Sequence, residues 1–212
     1  MAERAAALET LDEEVRGCTR CDLHRTANRG VPGEGPVDAR VMLVGEAPGF
    51  NEDKYGRPFV GAAGRFLDEL LGEAGLQRGD VYITNVVKHR PPNNRDPLPN
   101  ELDACLPYLW RQIEIINPRL IVTLGRFSLG TFFPGSMISK VHGELRQKDD
   151  RYYYAMYHPA AALHQERLRQ TLLADAQKLR AELPRILGEN QPPAVEAPPH
   201  DGDTPPEQLS LL

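Results

Sequence analysis

The sequence predicts an α/β three-layer sandwich with a central, mostly parallel four-stranded sheet. Two observations carry that expectation. Short apolar runs at residues 41–44, 81–87, 120–124 and 152–157 alternate with longer segments whose apolar residues recur every three or four positions. Irregular segments rich in Gly, Pro and Asn follow the first, second and fourth of these runs, at the strand ends where open α/β sheets hold their ligands.

The elements follow in order. Residues 5–15 form a helix, with Ala7, Leu8, Leu11 and Val15 on one face. Residues 18–36 are loop. The run 41–44 is uniformly apolar and stops at Gly45, as a buried parallel strand does. A long loop leads to a helix over 62–74, and 81–87 is the second strand. Residues 88–99 contain four prolines, which excludes regular structure. A helix over 101–116, a strand over 120–124 and a short helix over 126–132 come next. The strand 152–157 ends at His158-Pro159, and a long helix over 165–186 completes the body. Residues 1–187 thus form one domain. Residues 188–212 hold six prolines and few core-forming side chains, so they read as an extended, disordered acidic tail.

Composition narrows the function classes. The chain has 212 residues, 41% hydrophobic and 26% charged, which is ordinary for a globular protein. Its net charge of -5 comes from the tail, where Glu189, Glu196, Asp201, Asp203 and Glu207 face no Lys or Arg. The body is neutral, so charge neither supports nor excludes a nucleic-acid face. No run reaches the ~20 apolar residues of a membrane span. The N-terminus has neither the basic nor the apolar region of a secretion signal, so a cytoplasmic protein is expected. Three cysteines exclude a disulfide framework, and the pair Cys18-x2-Cys21 with Cys105 points to metal.

Three loops carry candidate chemistry. The first reads Gly45-Glu46-Ala47-Pro48-Gly49-Phe50-Asn51-Glu52-Asp53 and continues through Gly56-Arg57-Pro58-Phe59-Val60-Gly61. The second is Thr84-Asn85 followed by Lys88-His89-Arg90-Pro91-Pro92-Asn93-Asn94-Arg95, and the third is Tyr157-His158-Pro159-Ala160-Ala161. Taken singly, each residue has a plain structural role open to it: Phe59 in a core, Asn85 capping a turn, His158 buried before a proline, Glu52 as a solvated acid.

Taken together, in order and at successive strand ends, these motifs resemble the uracil-DNA glycosylase superfamily, and within it the iron–sulfur-containing family 4. The resemblance runs from about Cys18 to the last helix. It implies a uracil-DNA glycosylase-like fold and hydrolysis of the N-glycosidic bond of deoxyuridine in single- and double-stranded DNA, the opening step of base excision repair. Phe59 would stack on the everted base. The Asn85 amide would pair with uracil O4 and N3–H, a pattern cytosine reverses. Glu52 would stand near C5 and exclude thymine's methyl, and His158 would support the charge developing at O2. The best-known family of the superfamily has a catalytic Asp where this chain has Ala47; Glu46 and loop carbonyls are the candidates to position water.

The resemblance also implies four cluster ligands. Cys18, Cys21 and Cys105 match, whereas His89 stands where the family has a cysteine. Three outcomes are open: a [4Fe–4S] cluster with Cys3His ligation, a Cys3His zinc site, or a labile or lost cluster. The role would be structural, pinning the N-terminal loop to the proline-rich loop. Arg90, Arg95 and Arg167 are candidates for DNA phosphate, and Leu163 for a wedge into the vacated stack. The terminal Gln208-Leu209-Ser210-Leu211-Leu212 resembles the peptide by which bacterial repair proteins bind the sliding clamp, with Gln208, Leu209, Leu211 and Leu212 as contacts. A monomer is expected. Two rival readings are a non-catalytic or covalent uracil-DNA binder on the same scaffold and a metal-sensing regulator.

Overall fold

A computed structural model describes residues 1–188. The tail beyond Gly188, with the clamp-like peptide, lies outside the described residues. Helix α1 (Ala2–Arg16) precedes strand β1 (Val41–Gly45), short helix α2 (Phe50–Tyr55) and helix α3 (Ala62–Glu73). Strand β2 (Val81–Asn85), helix α4 (Pro99–Ile116), strand β3 (Leu120–Leu124) and helices α5 (Arg126–Phe132) and α6 (Ile138–Val141) follow. Strands β4 (Leu145–Lys148) and β5 (Arg151–Met156) lead to helix α7 (Glu166–Leu187).

The sheet has five strands in the order β2-β1-β3-β5-β4, one more than the sequence predicts. The first four are mutually parallel and β4 pairs antiparallel with β5. Its sequence, Leu-Arg-Gln-Lys, has one apolar residue and no buried position, as suits an edge strand. That is why no apolar run betrays it: a hairpin partner, not a core face, defines it.

Alternation along β1 builds the layers. Val41 and Leu43 face a core closed by Phe66, Leu67 and Leu70 of α3 and Leu172, Leu179 and Leu183 of α7. Met42 and Val44 face the other core, closed by Leu8 of α1 and Leu109, Ile113 and Ile116 of α4. Burying these side chains, at ~2 kcal/mol each, is what holds helices to both sides of the sheet.

The second strand is shorter than its apolar run. Val86 and Val87 leave the ladder, and their N–H groups donate to Gly45 O (3.0 Å) and Glu46 O (2.9 Å). Strand β2 therefore ends by folding over the carboxyl end of β1, which brings the first two motif loops together.

Candidate active site

The carboxyl ends of β1, β2 and β5 open into a cavity of about 350 Å³. Glu46, Ala47, Glu52, Phe59, Asn85 and His158 all line it, with Gly49, Pro91 and Arg95 toward the proline-rich loop. These six are the residues that sequence reasoning placed in the catalytic and base-binding roles.

Gly45 is the hinge of the cavity. A Cβ there would fall 2.3 Å from Asn85 Oδ1 and 2.7 Å from Phe59 Cζ, so only glycine lets the amide and the ring approach so closely. Asn85 is buried and its Oδ1 has no partner among the described residues. A buried acceptor without a donor costs free energy that a ligand N–H would recover.

Phe59 is also buried, with φ +53°, a conformation unfavourable for a bulky side chain. Two features hold it. Glu52 Oε1 accepts the N–H groups of Val60 (2.9 Å) and Gly61 (3.0 Å), and Gly64 leaves room where a Cβ would strike Phe59 O. Glu52 thus clamps the aromatic loop.

His158 stacks against Phe59 with ring centroids 5.5 Å apart and planes at 25°. Its Nδ1 accepts the Ala160 N–H at 3.1 Å, so the proton of the neutral ring sits on Nε2. Burial holds its pKa down to about 4, with the Glu52 carboxylate opposing the shift. Burial and then Asp96 raise the Glu46 carboxyl above its usual range, against the nearby Arg126 guanidinium. A pocket with a neutral donor, a raised carboxyl, an unpaired amide and an aromatic wall suits binding of a planar polar ring and departure of a leaving group.

The profile of the Uracil DNA glycosylase superfamily matches residues 32–182, most of the described chain. The chain belongs to that superfamily. A type-4 uracil-DNA glycosylase from Sulfurisphaera tokodaii is 50% identical over 184 residues, which cover 82% of this chain and 84% of the relative. One from Archaeoglobus fulgidus is 45% identical, covering 87% of this chain and 97% of the relative. A type-5 uracil-DNA glycosylase from Thermus thermophilus is 43% identical over 118 residues, about half of each chain.

In this superfamily member the metal candidates surround the start of α4. Cys105 packs with Leu23, Val87 and Cys21, while Cys18 packs on Tyr108, three residues further along α4. The Lys88 N–H donates to Cys105 Sγ at 3.4 Å; the next residue, His89, is buried, with His24 and Asp53 as its charged neighbours. Burial pushes the Cys105 thiol up to about 11 and raises Cys21 as well. Among the described residues no three His, Cys, Asp or Glu side chains converge tightly enough for one metal ion.

The superfamily loops carry the nucleic-acid candidates with differing freedom. Arg90 lies over the exposed Phe50 ring (5.2 Å) and donates to Asn94 Oδ1 (2.7 Å). Arg95 lines the cavity but is engaged by both oxygens of Glu101 (2.8 and 2.6 Å), whose carboxylate also caps α4 through Leu98 N. Leu163 is exposed just after the turn Pro159–Ala162, and Arg167 is exposed in the first turn of α7.

Sequence reasoning gave Asp53 no role and did not see that Lys88 is buried. Buried Asp53 accepts from Asn28 N (2.8 Å) and Asn28 Nδ2 (2.5 Å), tying the first motif to the cysteine loop. Its acidic neighbour Glu52 hid it; only its place one residue on, facing inward from α2, separates the two.

Proposed function

We propose that this protein is a uracil-DNA glycosylase that hydrolyses the N-glycosidic bond of deoxyuridine in DNA, releasing uracil and leaving an abasic site. One observation carries the reading: Phe59, Asn85 and His158 line one cavity, and the Asn85 acceptor there lacks a partner. The names of the similar relatives support the same activity.

A duplex base must leave the stack to reach such a cavity. The Asn85 amide would accept from uracil N3–H and donate to O4, satisfying the orphan oxygen. Phe59 supplies an apolar wall for the ring. Glu52 fixes that wall and would exclude a C5 methyl. As the N1–C1′ bond breaks, its electron pair passes to the base, and the Nε2–H of neutral His158 donates to O2. Water adds to the cation-like sugar carbon and loses a proton. Glu46, more basic than an ordinary carboxylate because of its burial, is placed to receive it. Ala47 offers no functional group, so departure of the base leads and water follows.

Cys18, Cys21 and Cys105, with His89 as fourth ligand, would hold a [4Fe–4S] cluster. Bound there, the cluster supplies a rigid cross-link among the N-terminal loop, the proline-rich loop and α4. Arg90 and Arg167 would meet DNA phosphate, Arg95 would do so in exchange with Glu101, and Leu163 would fill the vacated stack. The terminal Gln208, Leu209, Leu211 and Leu212 would dock on a sliding clamp and hold the enzyme near newly made DNA. No helix among the described residues is long and apolar enough to cross a membrane. The enzyme would work on the cytoplasmic nucleoid as a monomer.

The test is uracil release from single- and double-stranded oligonucleotides. Release by the wild type that is lost in Asn85→Ala and His158→Ala supports the reading, and full activity in both variants overturns it.

A further inference from the structure

Lys88 is wholly buried, and its ammonium makes three hydrogen bonds inside the protein. Nζ donates to Thr84 Oγ1 (2.8 Å), to Asn85 O (2.7 Å) and to Gln112 Oε1 of α4 (2.7 Å). Each of its three donors therefore has its own acceptor. The side chain folds back along its own segment and closes residues 84–88 into a ring around the ammonium.

Asn85 lies inside that ring. Its carbonyl is held by Lys88, and the next two N–H groups, of Val86 and Val87, are held by Gly45 O and Glu46 O. The side-chain oxygen, by contrast, has no partner. The direction of the base-reading amide is thus set by its backbone, and among the described residues Lys88 is the one side chain that donates to the Asn85 carbonyl. Gln112 anchors the grip in turn: its Nε2 donates to Pro32 O (2.8 Å) and Tyr82 OH (3.2 Å). An apolar side chain would fill this place without desolvating an ammonium, so the lysine has a use beyond volume.

We propose that Lys88 is a positioning residue for uracil recognition, acting through the Asn85 carbonyl to hold the Asn85 amide in register with the base. The inference rests on the glycosylase reading, and wild-type uracil release, measured alongside, tests that reading separately.

Lys88→Met keeps length and volume and removes all three donors. Its single-turnover excision rate should fall by about 100-fold or more, and inhibition by free uracil should weaken in parallel. Affinity for abasic-site DNA, which offers Asn85 no base, should change by less than about 3-fold. In an Asn85→Ala background Lys88→Met should add little, because both variants remove the same contact. Retention of a third or more of the wild-type rate overturns the proposal. So does an equal loss of abasic-DNA affinity, or full additivity with Asn85→Ala. Should Lys88→Met fail to fold, the isosteric Thr84→Val decides: a roughly 10-fold fall with the same uracil-specific pattern supports the role, and an unchanged rate refutes it.

Discussion

Gly45 and Asn85 stand so close that a Cβ on the first would lie 2.3 Å from Oδ1 of the second. The same Cβ would reach the Phe59 ring at 2.7 Å. The end of β1 is thus bare, and the Asn85 amide and the Phe59 ring meet over it. Gly45→Ala should displace both, lowering excision by about 100-fold while costing only ~1–3 kcal/mol of stability. Parallel excision assays and urea titrations check the contrast.

On the proposed reading, Asn85→Ala removes two hydrogen bonds to the base. Discrimination of this kind is worth roughly 10⁴-fold, so uracil excision should fall by about that order. Stability should hold or rise slightly, since an unpartnered buried oxygen is deleted with the amide. Thermal unfolding and single-turnover kinetics distinguish this outcome from a folding defect.

If Glu46 is the proton acceptor proposed above, it acts when ionised, and its raised pKa moves the acid limb of excision above the usual carboxylate range. Glu46→Gln should slow excision about 100-fold and abolish that limb. The residual rate should then stay flat until His158 begins to protonate near its pKa of about 4. A pH–rate profile of wild type and variant reads both limbs.

His158 also links stability to pH. Its folded pKa of about 4 lies below the ordinary 6.5, so between those values the unfolded chain binds a proton that the folded protein refuses. Its contribution is complete above about pH 6.5, is lost as pH falls toward 4, and is constant below that. The loss should reach about 2 kcal/mol by pH 5 and be absent in His158→Gln. Urea unfolding at neutral and acid pH measures it.

A [4Fe–4S] cluster held by Cys18, Cys21, Cys105 and His89, as proposed, should yield a brown protein with iron and sulfide on anaerobic purification, bleached by chelation with loss of the order around α4. His89→Cys should slow that bleaching. A colourless protein with one equivalent of zinc would overturn the assignment.

Much of this was legible in the chain itself. Apolar runs of strand length fixed the four parallel strands, because both faces of a covered sheet must be apolar. Gly, Pro and Asn clusters marked the loops at their carboxyl ends, and the resemblance of those loops to superfamily motifs singled out Phe59, Asn85 and His158, which line one cavity. Other features depended on contacts between distant residues. Edge strand β4 is defined by pairing with β5, not by a buried face. Arg95, read as a free phosphate contact, is held by Glu101, and Asp53 is joined to Asn28. Lys88 looks like a solvated base until the fold surrounds it with Thr84, Asn85 and Gln112. Periodicity reports which residues leave water, because that is a local property of each element. Which polar partner a charge meets, and how far burial moves its pKa, is decided only when segments far apart in the chain are packed together.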